Sequence, residues 1–93
     1  MAKTDADQLD WDSFRLVLAI GRSGGLAAAG RALRINHATV FRRVNGLEAR
    51  LEAPLFERHR SGYALTPLGK AVFQTAERME AEVLALEAPL SGG

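Results

Sequence analysis

Apolar side chains recur at helical spacing in the N-terminal half of this chain. The first such stretch runs from residue 11 to about 22, where Trp11, Phe14 and Val17 share one face. Asp10 stands where an N-cap residue accepts the first amide hydrogens, and the Ser-Gly-Gly sequence that follows ends the helix. A second, short helix over residues 26–33 carries alanine and glycine instead of large side chains. This composition predicts that another helix approaches its backbone closely.

A third helix follows after a three-residue connection, with Asn36 as its N-cap, and extends to about residue 52. One stripe of this helix, about 60° wide at 100° per residue, is apolar and is predicted to be buried. Its members are Val40, Val44, Leu47 and Leu51. The opposite side is predicted to face outward: Ala38, Arg42, Asn45 and Ala49, with Thr39, Phe41 and Gly46 on the shoulders. Two helices joined by such a connection are typical of a helix-turn-helix.

Two short strands and a long helix complete the pattern. Pro54 is predicted to end the third helix, and residues 55–58 and 63–65 are predicted strands joined by the His59–Gly62 turn. Thr66 as N-cap and Pro67 at the first helical position predict a last helix that extends to about residue 88, where Pro89 would end it. The predicted fold class is therefore mainly α with a small β-wing.

The last helix carries an apolar stripe with heptad-like spacing. Its members are Val72, Ala76, Met79, Val83 and Leu86. A helix with such a stripe needs a surface to pack against, and a second copy of the chain is the simplest one. The spacing therefore predicts a homodimer, although it does not give the relative direction of the two helices.

The charge of the chain is unevenly distributed, although the net charge is only +1 over 93 residues. Residues 22–70 contain nine basic and three acidic residues, a balance of +6, while acidic residues dominate both flanks. A basic middle segment between acidic ends points to a polyanionic partner.

Several function classes find no support in the sequence. There is no cysteine, and the only two histidines, His37 and His59, lie 22 positions apart on predicted surface elements with no acidic partner evident. Gly24 and Gly25 are not part of a phosphate-binding loop pattern. We therefore expect neither catalysis nor a bound metal or cofactor. The chain has no membrane-length apolar run and no secretory signal pattern, so we expect a cytoplasmic protein without a membrane partner.

Two segments resemble the N-terminal DNA-binding domain of LysR-type transcriptional regulators. They are GGLAAAGRALRINHATVFRRVNGLEARL and APLFERHRSGYALTPLG, and with the upstream helix the resemblance covers about residues 9–88. Molybdate-responsive regulators have a similar N-terminal domain. The resemblance implies a winged helix-turn-helix over residues 1–66, a linker and dimerisation helix over 67–88, and a flexible hinge or tail over 89–93. It also implies a small-molecule-sensing effector domain that would lie outside this chain, whether the chain is a fragment or a natural short form.

The same resemblance implies that the homodimer binds double-stranded DNA, with the two recognition helices, residues 37–52 of each copy, entering successive major grooves. The wing, about residues 56–65, would contact the DNA backbone or the minor groove. The candidate DNA-contacting residues are His37, Ala38, Thr39, Phe41, Arg42, Arg43, Asn45, His59 and Arg60. Arg42 is the leading candidate, since an outward-pointing arginine pairs with a phosphate or with guanine O6 and N7.

Departures from the family pattern leave several assignments open. Phe41 stands where the family usually has Ser or Thr, and it either contacts a thymine methyl group or packs against a neighbouring helix or the wing. Arg43 either reaches DNA or pairs with a nearby acid. The operator sequence, the regulated genes, the effector and the direction of regulation are not readable. A second hypothesis is a dimerisation or protein-interaction module of a short regulator form, which modulates a full-length partner and has no need for a basic surface.

Overall fold

The structure, a computed structural model, describes residues 9–91. Its elements are helices α1 (Trp11–Ser23), α2 (Leu26–Leu33) and α3 (His37–Leu51), strands β1 (Phe56–His59) and β2 (Gly62–Leu65), and helix α4 (Pro67–Ser91). The two strands pair in antiparallel register, with Phe56 opposite Leu65 and His59 opposite Gly62. This architecture confirms the predicted winged helix-turn-helix with a long C-terminal helix.

Side-chain caps begin three of the helices at the predicted residues. The Asp10 carboxylate accepts a hydrogen bond from the Ser13 amide at 2.8 Å, and the Asn36 side-chain oxygen accepts one from the Thr39 amide at 3.0 Å. The Thr66 hydroxyl accepts from the Gly69 amide at 3.0 Å. Each cap satisfies an amide that the helix itself leaves without an acceptor, so these local signals alone place the helix starts.

The sequence predicted the wrong cause for the end of α3 and the wrong position for the end of α4. Helix α3 ends before Pro54 is reached, because Glu52 takes the left-handed conformation (φ 54°) and its amide bonds back to the Ala49 and Glu48 carbonyls. Helix α4 continues through Pro89 to Ser91. A proline fits helical φ, but it removes one backbone hydrogen bond and its ring crowds the carbonyl group four residues earlier. Residues 81–90 are all exposed, so water can solvate the released carbonyl. Residues 89–91 of the predicted tail are therefore helical, and residues 92–93 lie outside the described part.

The core lies where α1 and the inner face of α3 meet the start of the wing. Its fully buried large side chains are Val17, Ile20, Val40, Val44, Leu47 and Leu55. Burying each such side chain contributes about 1.5–3 kcal/mol. The predicted apolar stripe of α3 is thus confirmed, with Leu51 half-buried at its end.

Helix and strand periodicity in the sequence predicts that five large side chains belong to the core: Trp11, Phe14, Phe56, Leu65 and Phe73. Phe56 is buried, and Phe14, Leu65 and Phe73 are partly buried against the core. Trp11 is a correction, since it is half-buried and stands outside the core cluster. As the first residue of α1, it has no preceding helical turn to cover it.

The small residues of α2 serve the turn that follows as well as the core. Ala29 is fully buried in the core. A Cβ atom on Gly30 would lie 2.6 Å from the Ile35 carbonyl oxygen, whose residue donates its own amide to the Gly30 carbonyl at 2.9 Å. The close approach that the sequence predicted is therefore partly that of the connecting backbone, which folds directly over α2.

The first turns of α4 pack against α1 within the same chain. Val72 and Ala76 are buried there, and the Phe73 ring lies so close to Gly21 that an added Cβ would meet it at 2.6 Å. This corrects the predicted dimerisation stripe, because Val72 and Ala76 are already covered by their own domain. Met79 is half-buried, and only Val83 and Leu86 of the stripe are exposed. Hence the helix-turn-helix unit does not end at residue 66 but includes the start of α4.

An ion pair marks the point where α4 leaves the domain. Arg22 at the end of α1 donates to both carboxylate oxygens of Glu80, at 2.7 and 3.2 Å. The hydrogen bonds to the Arg22 guanidinium hold the pKa of the Glu80 carboxyl below its ordinary value, and those to Glu80 raise the pKa of Arg22. Both side chains are substantially exposed, so we expect the pair to contribute at most about 1 kcal/mol.

Candidate DNA interface

The outer face of α3 presents most of the predicted DNA-contacting residues to solvent. His37, Ala38, Phe41, Arg42 and Arg43 are exposed, whereas Thr39 and Asn45 are half-buried. This orientation follows from the opposite face, where Val40, Val44 and Leu47 are held in the core. The buried stripe thus determines which side chains a ligand of α3 meets.

Hydrogen bonds along α3 orient Arg42. Its guanidinium donates to the Thr39 hydroxyl at 3.2 Å, and that hydroxyl donates in turn to the Asn36 side-chain oxygen at 3.4 Å. The N-cap of α3 therefore continues as a series of hydrogen bonds that ends at the exposed guanidinium of Arg42. The Thr39 hydroxyl is both donor and acceptor in this chain, so it has no free hydrogen for another acceptor while the chain persists.

Three exposed arginines of the candidate interface have no ionic partner in the part of the chain that the structure describes. Within the described residues, no carboxylate oxygen lies within 4.0 Å of Arg42, Arg43 or Arg60. Arg43 therefore does not pair with an acid here, although Asp10 and Asp12 share with it the lining of a shallow cavity of about 280 Å³. Unpaired guanidinium groups keep their full positive charge available to an anionic ligand.

The wing brings Arg60 and His59 to a tight hairpin end. Only Arg60 and Ser61 separate the paired residues His59 and Gly62, so the turn is shorter than the predicted four residues. Gly62 has φ 135°, and a Cβ there would collide with the Gly24 carbonyl oxygen. That same carbonyl accepts the Tyr63 amide at 2.8 Å, which docks the wing on the α1–α2 turn. The His59 ring lies 3.2 Å from the Glu57 carboxylate.

Sequence reasoning missed a set of contacts that ties the wing to α3, which we call the wing latch: Asn45, Glu48 and Arg58. One Glu48 oxygen accepts the Leu55 and Phe56 amides at 2.8 and 3.2 Å, and the other accepts from the Arg58 guanidinium at 2.9 Å. Arg58 also donates to the Asn45 side-chain oxygen. Asn45, a predicted DNA contact, therefore has its oxygen engaged by the wing.

Arg58 also lies against two aromatic rings. The guanidinium carbon is 5.7 Å from the centre of the Phe41 ring and 5.3 Å from that of Tyr63. The only sequence signal for this arrangement was the spacing of Phe41, Asn45 and Glu48, which places them on one side of α3. Nothing in the pattern indicated that the wing covers that side.

The end of α4 projects with its apolar side chains uncovered. Val83, Leu84, Leu86 and Leu90 are exposed there. Among the described residues, no helix combines the length and apolarity needed to cross a membrane.

Comparison with known proteins places this geometry in a family. Residues 11–70 match the family model described as bacterial regulatory helix-turn-helix protein, lysR family. Among curated proteins, the regulator TfdS from Cupriavidus pinatubonensis is 37% identical over 71 residues, which cover 76% of this chain and 24% of TfdS. The regulator ClcR from Pseudomonas putida is 31% identical over the same length. The chain thus spans about a quarter of the length of these relatives.

Solved structures show the same arrangement of helices and wing. The DNA complex of the CbnR DNA-binding domain superposes with a TM-score of 0.73 at 28% identity, over 89% of this chain and 94% of that one. Full-length LysG from Corynebacterium glutamicum, with bound effector Arg, gives 0.79 at 27% identity, over 90% of this chain and 29% of LysG. With the family match covering most of its length, this chain belongs to the LysR family of bacterial regulatory helix-turn-helix proteins.

Proposed function

We propose that this chain is the DNA-binding part of a dimeric transcription regulator that recognises a specific double-stranded sequence. The observation that carries the proposal is the outer face of α3. There, exposed Arg42 and Arg43 have no carboxylate partner within residues 9–91, and the wing tip adds Arg60. A helix with such a face fits the major groove, and the charges suit the phosphates that flank it. Because the proposed ligand is genomic DNA, the proposed location is the bacterial cytoplasm.

The proposed roles of the interface residues follow from their positions. Arg42 would reach a phosphate or a guanine edge, while His37 and Ala38 at the start of α3 would meet base edges. Arg60 and His59 would contact the backbone or the minor groove from the wing. The further contacts would come from Thr39, Phe41, Arg43 and Asn45, with Thr39 first releasing its bond to Asn36.

We further propose that dimerisation uses the outer part of α4. Met79, Val83 and Leu86 remain of the predicted stripe once Val72 and Ala76 are assigned to the domain core. The DNA-binding unit then runs into the first turns of α4, and the rest of that helix links it to its partner copy. An effector domain and its small-molecule ligand, as the family resemblance implies, would belong to residues outside this chain.

Fluorescence anisotropy of a labelled duplex across a salt series tests the proposal. We expect affinity to fall steeply with salt, with the logarithmic slope decreasing by about 0.9 for each phosphate contact removed. Arg42→Ala should weaken binding, and Arg15→Ala serves as the charge-matched control, because Arg15 lies on α1 within reach of Asp12. A folded, dimeric protein that binds no duplex even at low salt would refute DNA binding and favour the protein-interaction hypothesis.

A further inference from the structure

We infer that Arg58 is a positioning residue for DNA recognition. It sets base preference by fixing the orientation of the Phe41 ring on α3 and the position of the wing beside that helix. The inference rests on the proposed DNA binding and adds a specificity role to Arg58, which is not one of the candidate DNA contacts. Arg58 belongs to β1, yet every contact of its guanidinium recorded in the structure is made with α3 or with the neighbouring strand.

Phe41 is the side chain through which this role would reach DNA. Phe41 as a residue is 44% exposed, so it is only partly covered, and the guanidinium of Arg58 lies over its ring. The contact leaves part of an apolar ring uncovered on the face that carries Arg42. An apolar surface in the major groove recognises the thymine methyl group, so the ring's placement determines which base pair it favours.

The other side of Arg58 is anchored to the domain. Its guanidinium lies near the Tyr63 ring, and Tyr63 in turn packs edge-on against buried Phe56, with ring centres 5.9 Å apart. Glu48, whose side chain is only 15% exposed, holds the same guanidinium and two amides at the start of the wing. Arg58 therefore connects an exposed ring to the core through contacts on both sides.

These contacts distinguish Arg58 from an arginine that binds a DNA phosphate. Arg60 at the wing tip has no carboxylate or aromatic partner among the described residues, whereas Arg58 is held by two acceptors and two rings. A planar guanidinium can stack and donate in its plane at the same time, which a lysine ammonium cannot do. Lysine at position 58 would keep the charge and lose the stacking, so the two roles are separable by experiment.

The test is a selection of preferred duplexes from a randomised library, followed by affinity measurements on the selected sites. Wild type, Phe41→Ala, Arg58→Lys and Arg60→Ala are compared, together with the double variants Phe41→Ala/Arg58→Lys and Phe41→Ala/Arg60→Ala. All are measured at a temperature where circular dichroism shows each one folded. If Arg58→Lys does not fold, Arg58→Gln, which removes the cation from the Phe41 ring, replaces it with the same expected effect on base preference.

We expect Arg58→Lys to reduce preference by about two- to fivefold at the same base positions as Phe41→Ala, the size of one exposed cation–π contact. Its effect should largely vanish when Phe41 is already alanine. Arg60→Ala should weaken all sequences alike and add to Phe41→Ala. This pattern would be specific to positioning, because a general loss of stability would not select particular base positions.

Two results would overturn the inference. One is an unchanged base preference in Arg58→Lys. The other is a salt slope that falls by about 0.9 in Arg58→Ala, since that would make Arg58 a phosphate contact. Failure of the wild type to bind any duplex would instead refute the proposed function, so the two failures are distinguishable.

Discussion

Replacing Glu48 by alanine should loosen the attachment of the wing to α3. The carboxylate accepts the Leu55 and Phe56 amides and pairs with Arg58. Alanine supplies no acceptor, and β1 begins at Phe56 without a strand on that side. The substitution therefore leaves backbone donors without a partner in a partly buried place, and it frees a cation at the same time.

The magnitude follows from these lost bonds. A buried donor left without an acceptor costs about 1–3 kcal/mol. Because Leu55 is fully buried and Phe56 nearly so, we expect a loss of about 3 kcal/mol in the free energy of unfolding, with water near the exposed Arg58 limiting any further loss. For a domain of this size, that corresponds to a fall of about 12–24 °C in melting temperature.

Thermal and urea unfolding followed by circular dichroism, at one fixed protein concentration, would measure the effect. Glu57→Ala is the matched control, since the Glu57 carboxylate is exposed and, among the described residues, pairs with the His59 ring alone. The control should change stability by no more than about 0.5 kcal/mol. If Glu48→Ala were no less stable than Glu57→Ala, the wing latch would contribute nothing and the account of the wing's attachment would be wrong.

Three further predictions concern backbone and acid–base features. Gly30→Ala should lower the free energy of unfolding by about 1–3 kcal/mol, because the new Cβ meets the Ile35 carbonyl. Glu52→Gly should raise it by about 0.5–1 kcal/mol in the same urea titrations, since glycine adopts the left-handed conformation without strain. Hydrogen bonds from Ser13 to Asp10, and from Arg22 to Glu80, lower the pKa of both carboxyls below their unfolded values, so stability should be lost as pH falls through the folded pKa values.

Each of these predictions has a control within the chain. Gly46→Ala should stabilise α3 by up to about 1 kcal/mol, because no described atom outside the adjoining backbone of α3 lies within 4 Å of the new Cβ position. Equal effects at Gly30 and Gly46 would contradict the crowding argument. Asp10→Asn keeps an N-cap but cannot titrate, so its stability should fall less in acid than that of the wild type. If Asp10→Asn lost as much stability in acid as the wild type, titration of Asp10 would not be a cause of the acid sensitivity. If Glu52→Gly lowered the free energy of unfolding, the left-handed conformation of Glu52 would not be a source of strain.

The sequence by itself determined the local features of this protein. The caps at Asp10, Asn36 and Thr66 and the buried stripe of α3 depend on residues a few positions apart, and the structure confirmed them. The same pattern predicted the fold class, mainly α with a small β-wing, and the family motifs narrowed the expected polyanionic partner to double-stranded DNA. These signals are readable because hydrogen bonding at helix ends and helical periodicity act over short stretches of chain.

Only the tertiary structure decided which elements and side chains pack against each other. It assigned Val72 and Ala76 to the domain core instead of to a partner copy, and it placed Arg58 on Phe41. An apolar stripe predicts that a surface will be covered but not which element covers it. Burial against the same chain and burial against a partner copy remove the stripe from water equally well. Likewise, an arginine in a hairpin finds its partners only after the hairpin has docked. The base preference that we attribute to Arg58 therefore depends on contacts between distant parts of the chain.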